Sequence, residues 1–405
     1  MSDAAVVWKQ LWPVPGVRLA TVEAGVRYKN RADLVLMQLQ EGSQTAAVFT
    51  RNACCAAPVH VARHHLQSAA PRYLLINTGN ANAGTGDQGL SHCRHTCTAL
   101  ARQAEVPEWT VLPFSTGVIG EELPVQRIVD ALPQALQQLT EEGWAAAAAG
   151  IMTSDTRPKG ASLRFTVAEH TYTLTGIAKG AGMIRPNMAT MLAFVATDMA
   201  VSQNVLQQLL EAAVAVSFNR ISIDGDTSTN DSAVLIATGG AGPLVTEKNQ
   251  IEALALSQHL QALLLDLAQQ IVRDGEGATK FITVQVDGGA TTGECCDVAY
   301  AIAHSPLVKT AFFAGDPNWG RILMAVGRAG LENLDPGHVQ IWLDEVRVCW
   351  RGGVDPEYRE AAGAEVMRRK DIVIRVELGR GPCTDRVYTC DLSYEYVKIN
   401  ADYRS

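Results

Sequence analysis

The segment KGAGMIRPNMATMLAFVATD, residues 179–198, contains a loop and the beginning of a strand. Two glycines and a proline in its first part are typical of turns. The apolar run 191–195 that follows indicates a buried strand. Ala189 and Thr190 stand between the two parts, so a small residue and a hydroxyl residue immediately precede the strand.

A threonine at this position allows one specific chemistry. A hydroxyl is a weak nucleophile unless a base removes its proton, and an N-terminal threonine can use its own amine, whose ordinary pKa is about 7.7–8.0. Thr190 could become N-terminal only by cleavage of the bond to Ala189, whose small side chain leaves the carbonyl uncrowded. Composition alone favours a simpler interpretation, in which Thr190 is the first residue of a strand after a glycine-containing turn.

The composition is that of a globular protein. The 405 residues are 47% hydrophobic and 19% charged, with a net charge of −8. This acidic balance argues against a nucleic-acid or anionic membrane surface. No run of about 18 apolar residues is present, and the N-terminal sequence lacks the basic and apolar regions of a signal peptide. We therefore expect no membrane span and a cytoplasmic location.

One group of cysteine and histidine residues resembles a metal site at first sight. Cys93 and Cys97 are accompanied by His92 and His95, but no second pair lies at a spacing typical of zinc sites. The pattern therefore predicts reduced cysteines on a helix, and no metal.

The order of predicted elements suggests two domains. Strand and helix patterns are mixed up to a long apolar helix over 251–272, with a hairpin over 161–168 and 171–178. Strand-like segments dominate afterwards, at 278–289, 339–348, 371–379 and 386–393. We predict an α+β protein with a nucleophile-bearing domain over 1–277 and a smaller α+β domain over 278–405. Two packed sheets between helix layers fit the first domain, although the pattern alone does not exclude a doubly wound fold.

Several motifs beyond the opening segment point to one family. They occur in order through most of the chain: NTGNANAGTG (77–86), STGVIG (115–120), MTSDT (152–156), SIDGDTSTNDS (222–232), GEGATK (275–280), GDPNWGRI (315–322) and INADYRS (399–405). Together with KGAGMIRPNMATML (179–192), they resemble the ornithine acetyltransferase family, the bifunctional acetyltransferases of arginine biosynthesis. The resemblance implies an α-β-β-α sandwich similar to that of N-terminal-nucleophile enzymes.

The resemblance also implies a self-processing enzyme. The chain would cut itself between Ala189 and Thr190, giving an α chain (1–189) and a β chain (190–405) that stay associated. Thr190 would take acetyl from N2-acetylornithine and pass it to glutamate, giving ornithine and N-acetylglutamate without a cofactor or metal. Such covalent catalysis predicts ping-pong kinetics.

The family's site residues can be transferred to matching positions in this sequence. Thr116 and Gly117 match the oxyanion-hole position. The substrate-binding positions are matched by Thr153, Lys179, Thr190, Glu276, Asn400 and Ser405. Without the family match, Lys179 would be a solvated surface lysine and Glu276 a carboxylate in a turn. Ser405 replaces the threonine usual in the family, and Arg185 receives no role.

Several alternatives remain open at this stage. Some family members only recycle acetyl from acetylornithine, whereas others also use acetyl-CoA; we favour the bifunctional form. An aminopeptidase or amidohydrolase of related fold would use the same kind of nucleophile with water as acceptor. A non-enzymatic binding protein on the same scaffold would remain uncut. The family implies an assembly of two α and two β chains, or a larger one.

Overall fold

The strand patterns of the sequence form three sheets in the computed structural model, which describes residues 10–185, 191–248 and 250–402. The strands are β1 (Val17–Val22), β2 (Leu34–Leu39), β3 (Gln44–Phe49), β4 (Tyr73–Asn80), β5 (Val111–Val118), β6 (Lys159–Val167), β7 (His170–Lys179), β8 (Leu192–Val201), β9 (Ser232–Val245), β10 (Phe281–Gly289), β11 (Gln340–Leu343), β12 (Val346–Trp350), β13 (Gly353–Val354), β14 (Asp371–Glu377) and β15 (Cys383–Cys390). The helices are α1 (Ala57–Ser68), α2 (Gly86–Gln103), α3 (Val125–Gln137), α4 (Trp144–Gly150), α5 (Gln203–Ala215), α6 (Gln250–Arg273), α7 (Thr292–Ala303), α8 (Pro306–Ala314), α9 (Trp319–Gly327), α10 (Glu360–Val366) and α11 (Tyr394–Ala401).

Contacts divide the chain into two units. The first takes in the described residues within 1–180, 186–219 and 227–271, and the second takes in Ala181–Arg185, Arg220–Asp226 and the described residues from Val272 onwards. The sequence pattern predicts one boundary, between residues 277 and 278. The division by contacts also assigns two short earlier segments to the second unit. The amino-acid composition of these segments does not indicate that they belong to it.

Two sheets face each other in the first unit. One has the order β1-β2-β4-β5 and the other the order β3-β9-β8-β7-β6. Alternate residues of both sheets share one apolar core, because successive side chains of a strand point to opposite faces. Phe114 of β5 and Phe194 of β8 meet in this core, with ring centroids 5.1 Å apart in an edge-to-face arrangement. Such a contact adds about 0.5–1.5 kcal/mol to the burial of the two rings.

Helices cover the outer faces of both sheets. Residues of α1, α2 and α3 pack with the remaining side chains of the first sheet in a second core. On the second sheet, Gly176 of β7 lies against Leu263 and Leu267 of α6, so closely that a Cβ there would be 3.0 Å and 3.2 Å from their methyl carbons. Gln203 of α5 donates to the Thr45 carbonyl of β3. The predicted α-β-β-α layering is confirmed.

The second unit contains one mixed sheet, with the order β13-β12-β11-β14-β10-β15. One face carries Ile282, Val284 and Val286 of β10 and packs against the apolar side of α7. The predicted strand over 339–348 is wrong in one respect, because it is two antiparallel strands, β11 and β12. The chain reverses between them at Asp344, whose φ of 47° lies in the left-handed region. The smaller α+β arrangement itself is confirmed.

The predicted hairpin and long helix are present as β6–β7 and α6. Cys93 and Cys97 lie buried on α2 as free thiols, as predicted. Within the described ranges, the helices are too short or too polar to cross a membrane.

Candidate active site

The structure describes six of the predicted site residues. Thr116, Gly117, Thr153 and Lys179 belong to the first unit, and Glu276 and Asn400 belong to the second. The cleavage position at Ala189 and Thr190, and the C-terminal Ser405, lie outside the described residues.

Gly117 is required by the backbone at the end of β5. Its φ is 137°, which side chains rarely allow, and a Cβ at this position would lie 2.2 Å from the carbonyl carbon of Gly79 on β4. β4 and β5 run parallel, with Thr78 beside Thr116 and Gly79 beside Gly117. The sequence pattern ended the strand at residue 114, but β5 continues to Val118, so Thr116 and Gly117 occupy a fixed strand end.

Buried amides hold this strand end in place. Asn230 donates from Nδ2 to the carbonyls of Ala81, at 2.6 Å, and Ser115, at 2.9 Å. The Ser115 hydroxyl donates to Oδ1 of Asn77 at 2.6 Å. The amide of Asn77 donates in turn to the Asn80 carbonyl at 2.9 Å. The asparagine-rich motif at 77–86 thus has a structural role. Its side chains form hydrogen bonds with buried backbone groups where the regular pairing of β4 and β5 ends.

Lys179 is buried beside Thr116. Its side chain is 9% exposed at the end of β7, and Nζ donates to Oγ1 of Thr116 at 3.3 Å. The interpretation of Lys179 as a solvated surface lysine is therefore wrong. Lys179 pairs with Leu192, the first residue of β8 and the second described residue after Thr190. The ammonium group of Lys179 therefore lies where β8 begins.

Asp155 links Thr153 to the end of β7. Its carboxylate accepts hydrogen bonds from the Thr153 amide at 2.9 Å, the Gly180 amide at 2.7 Å and Lys159 Nζ at 2.6 Å. Burial alone would raise the pKa of this carboxyl, but the charges of Lys159 and Lys179 and these hydrogen bonds lower it well below its ordinary value. Asp155 is therefore ionised at neutral pH and fixes Thr153 and Gly180 relative to each other. The motif MTSDT contained this residue, but its spacing gave no signal for the role.

We expect Asp155→Asn to destabilise the protein by about 3–5 kcal/mol, because it removes the carboxylate charge that forms an ion pair with the buried Lys159. Because the folded-state pKa of Asp155 is lowered, its contribution is complete above the unfolded-state pKa and is lost as pH falls below it. Urea unfolding of wild type and variant at neutral and acidic pH measures this. The difference between the two proteins should shrink on acidification; a constant difference would contradict the assignment.

Asp231 is a second buried carboxyl of the first unit. It directly precedes β9 and is 3% exposed, and within the described chain its Oδ2 has no hydrogen-bond partner. Burial raises the pKa of Asp231 well above its ordinary value, and the hydrogen bonds of Ser228 and the charge of Lys179 only partly oppose this. Nothing in the sequence distinguishes Asp231 from the other polar residues of the loop at 222–232.

In the second unit, Glu276 lies against the backbone of Gly182. A Cβ at Gly182 would be 2.5 Å from the Glu276 carboxyl carbon, so only glycine fits there. Glu276 is 7% exposed, and its Oε2 accepts a hydrogen bond from Asn400 Nδ2 at 2.8 Å. Among the residues that the structure describes, no lysine or arginine forms an ion pair with Glu276. The structure thus brings the predicted residues Glu276 and Asn400 into contact. The carboxylate of Glu276 can accept hydrogen bonds from an ammonium group.

Asp224 fixes the segment that contacts Glu276. Its carboxylate accepts from the amides of Met183, at 2.5 Å, and Ile184, at 2.8 Å, and from the Tyr396 hydroxyl at 3.4 Å. Burial and the charges of Asp224 and Glu276 raise the pKa of Tyr396. The loop motif at 222–232 gave no indication of this anchoring role.

Known proteins resemble this chain over most of its length. The model of the ArgJ family matches residues 18–405. The arginine biosynthesis bifunctional protein ArgJ of Psychrobacter arcticus is 57% identical over 396 residues, covering 98% of this chain and 97% of the relative. That of Methylococcus capsulatus is 55% identical, with coverage of 98% and 97%.

One solved structure is also similar to part of the chain. The ornithine acetyltransferase of Mycobacterium tuberculosis, complexed with ornithine, is 31% identical, covering 44% of this chain and 94% of that chain with a TM-score of 0.38. The family assignment rests on the family model and on the full-length relatives. The chain belongs to the ArgJ family and is an acetyltransferase of arginine biosynthesis.

Proposed function

We propose that the chain cuts itself between Ala189 and Thr190 and then transfers acetyl from N2-acetylornithine to glutamate through an acetyl ester on Thr190. One observation carries the proposal: Thr116, Thr153 and Lys179 converge on the end of β7, which pairs with the start of β8. Thr190 precedes the described start of β8 in sequence. This convergence supports a nucleophile at position 190 with polar groups around it.

The transfer takes place in two halves. The Thr190 amine accepts the hydroxyl proton, Oγ bonds to the acetyl carbon of acetylornithine, and the C–N bond breaks as the released amine of ornithine takes that proton. The amine of glutamate then attacks the ester, and its proton returns to Thr190 Oγ as the C–O bond breaks. Each half passes through an oxyanion, and we assign its hydrogen-bond donors to Thr116 and the backbone of Gly117. In known enzymes one such donor stabilises the transition state by about 3 kcal/mol.

Charged residues suit the two substrates. Ornithine and glutamate both carry a carboxylate, for which the Lys179 ammonium is a matching partner. Ornithine also carries a side-chain ammonium, which fits the Glu276 carboxylate held by Asn400. Thr153 and Ser405 complete the proposed substrate contacts, and the ornithine complex of the Mycobacterium tuberculosis relative supports this substrate class.

The wider proposal follows the relatives. Their names call them bifunctional, which supports acetyl-CoA as a second acetyl donor to glutamate. We propose no cofactor or metal for the transfer, a cytoplasmic location, and an assembly of two α and two β chains or larger. The absence of a cofactor or metal is supported by the chemistry of the transfer, which uses only a hydroxyl, an amine and backbone donors.

Ornithine release from N2-acetylornithine tests the function. Release by purified protein beyond one equivalent per enzyme should require glutamate and should be accompanied by an equal amount of N-acetylglutamate. Release at the same rate without glutamate would instead identify a hydrolase. Replacing acetylornithine with acetyl-CoA in the same assay distinguishes the bifunctional enzyme from the monofunctional one, which would form no N-acetylglutamate from that donor.

A further inference from the structure

The carboxylate of Glu276 depends on a neighbouring backbone segment for its position. The Glu276 amide donates to the Ala181 carbonyl at 2.8 Å. A Cβ at Gly182 would lie 2.5 Å from one carboxylate oxygen of Glu276 and 2.6 Å from the other, so both oxygens pack against the backbone of this glycine. The place of the carboxylate in the second unit therefore depends on where residues 181 and 182 are held.

Asp224 holds the next two residues of that segment. Its Oδ2 accepts from the Met183 amide at 2.5 Å, and its Oδ1 accepts from the Ile184 amide at 2.8 Å. The two amides use different oxygens, so an asparagine side chain, which has a single carbonyl oxygen, could accept only one of them. The Ile223 amide also donates to the Ile184 carbonyl at 2.8 Å. The loop that carries Asp224 thus fixes residues 183 and 184.

The segment needs such an anchor because its backbone conformation is an unfavourable one. Met183 has a φ of 55°, in the left-handed region that residues with a side chain rarely adopt. This conformation costs free energy, because it brings Cβ too close to the following carbonyl oxygen. Without the Asp224 carboxylate, we expect Met183 to relax towards a negative φ, which would move Gly182 away from Glu276.

Helix α11 provides a second connection between the two carboxylates. Asn400 donates from Nδ2 to Glu276 Oε2 at 2.8 Å and to the Tyr396 carbonyl at 3.0 Å. The Tyr396 hydroxyl donates to Asp224 Oδ2 at 3.4 Å. Two routes therefore connect Asp224 to Glu276, one through residues 181–184 and the other through α11.

We propose that Asp224 is a positioning residue for recognition of the acetyl donor, because it holds the Glu276 carboxylate where the side-chain ammonium of N2-acetylornithine binds. The proposal rests on the proposed function, which assigns that ammonium to Glu276. Asp224 acts through the backbone and not on the substrate, since its oxygens already accept the segment's two amides and the Tyr396 hydroxyl. Its loss should weaken recognition of the ammonium and leave the transfer chemistry unchanged.

Two donors separate recognition of the ammonium from the rest of the reaction. N2-acetylnorvaline has the carbon chain of N2-acetylornithine but lacks the side-chain amine. In a ping-pong reaction, kcat/KM for a donor reports only the half-reaction of that donor. The ratio of the two kcat/KM values, measured per self-cleaved molecule from N-acetylglutamate formation, therefore isolates the effect of the ammonium. Wild-type protein should prefer acetylornithine at least about 100-fold, because the analogue leaves a buried carboxylate without a partner. Equal values for the two donors would overturn the proposal.

Asp224→Asn tests the positioning role. We expect kcat/KM for acetylornithine to fall about 10- to 100-fold, mainly through KM, the effect of a displacement near 1 Å. The value for acetylnorvaline should stay near that of wild type; an equal loss for both donors would indicate general damage and would overturn the proposal. In Glu276→Gln protein, Asp224→Asn should add no further loss for acetylornithine. A further loss of the same size would show that Asp224 acts independently of Glu276, and the proposal would fall.

Asp226→Asn is the matched control. Asp226 is exposed in the same loop, and its backbone amide donates to Asp224 Oδ1 at 3.2 Å. The substitution removes one negative charge from the loop but leaves the acceptors of the Met183 and Ile184 amides in place. This variant should keep the wild-type preference for acetylornithine. A loss as large as that of Asp224→Asn would mean that the charge of the loop attracts the ammonium, and it would overturn the positioning role.

Gly182→Ala covers the case in which Asp224→Asn does not fold. The φ of Gly182 lies outside the left-handed region, so the backbone permits alanine, and the added Cβ would lie 2.5 Å from the carboxyl carbon of Glu276. Displacement of the carboxylate should cause the same selective loss for acetylornithine. An unchanged preference would overturn the proposal. Wild-type protein that releases no ornithine from acetylornithine would instead refute the proposed function.

Discussion

The variant Thr190→Ala should remain a single chain of 43.5 kDa and should transfer no acetyl group. Alanine removes both the oxygen that would attack the Ala189 carbonyl and the oxygen that would carry acetyl. Because the two losses have one cause, cleavage and transfer should disappear together. Denaturing mass spectrometry and the ornithine-release assay measure them on the same sample.

Thr190→Ser is the control for this variant. It keeps the hydroxyl and loses only a methyl group, so it should still cut and still transfer, at reduced rates because the less branched side chain has more rotamers. Acetyl transfer by Thr190→Ala at a rate near that of wild type would show that the nucleophile lies elsewhere.

The variant Gly117→Ala should lose acetyl transfer by about 100- to 1,000-fold, the effect of removing an oxyanion donor. The added Cβ would lie 2.2 Å from the Gly79 carbonyl carbon, so the end of β5 must move away from β4. That movement displaces the backbone next to Thr116. Steady-state kinetics should show the loss in kcat, since the donor acts on the oxyanion and not on the bound substrate.

Gly120→Ala is the control that separates the loss of kcat from the backbone strain of any side chain at a positive φ. Gly120 also has a positive φ, of 83°, but no atom lies within 4 Å of a Cβ added there. Its replacement should reduce the free energy of unfolding slightly and leave kcat close to that of wild type. Equal losses of kcat in both variants would contradict the role of the β5 end.

The sequence predicts the layers of this fold because their pattern is local. Apolar and polar alternation identified the β6–β7 hairpin, and the helical repeat identified α6. The turn at Asp344 was missed, because the residues on either side of it continue the strand pattern. The helices α7–α11 were also missed, since their helical patterns are short or weak.

The site could be predicted only in part, for a similar physical reason. Thr116, Gly117, Thr153, Lys179, Glu276 and Asn400 came from motif matches, and the structure adds a reason for two of them: Gly117 by its backbone, and Lys179 by its burial. Asp155 was missed because its importance depends on a contact with the end of a distant strand. The sequence of a polar loop does not indicate whether an aspartate in it is solvated or buried.

The proposed acetyl transfer depends most directly on cleavage of the peptide bond between Ala189 and Thr190. Denaturing mass spectrometry of active wild-type protein, combined with N-terminal sequencing, tests it in one measurement. We expect two fragments, one covering residues 1–189 and the other beginning at Thr190. A single intact chain of 43.5 kDa in fully active protein would contradict it.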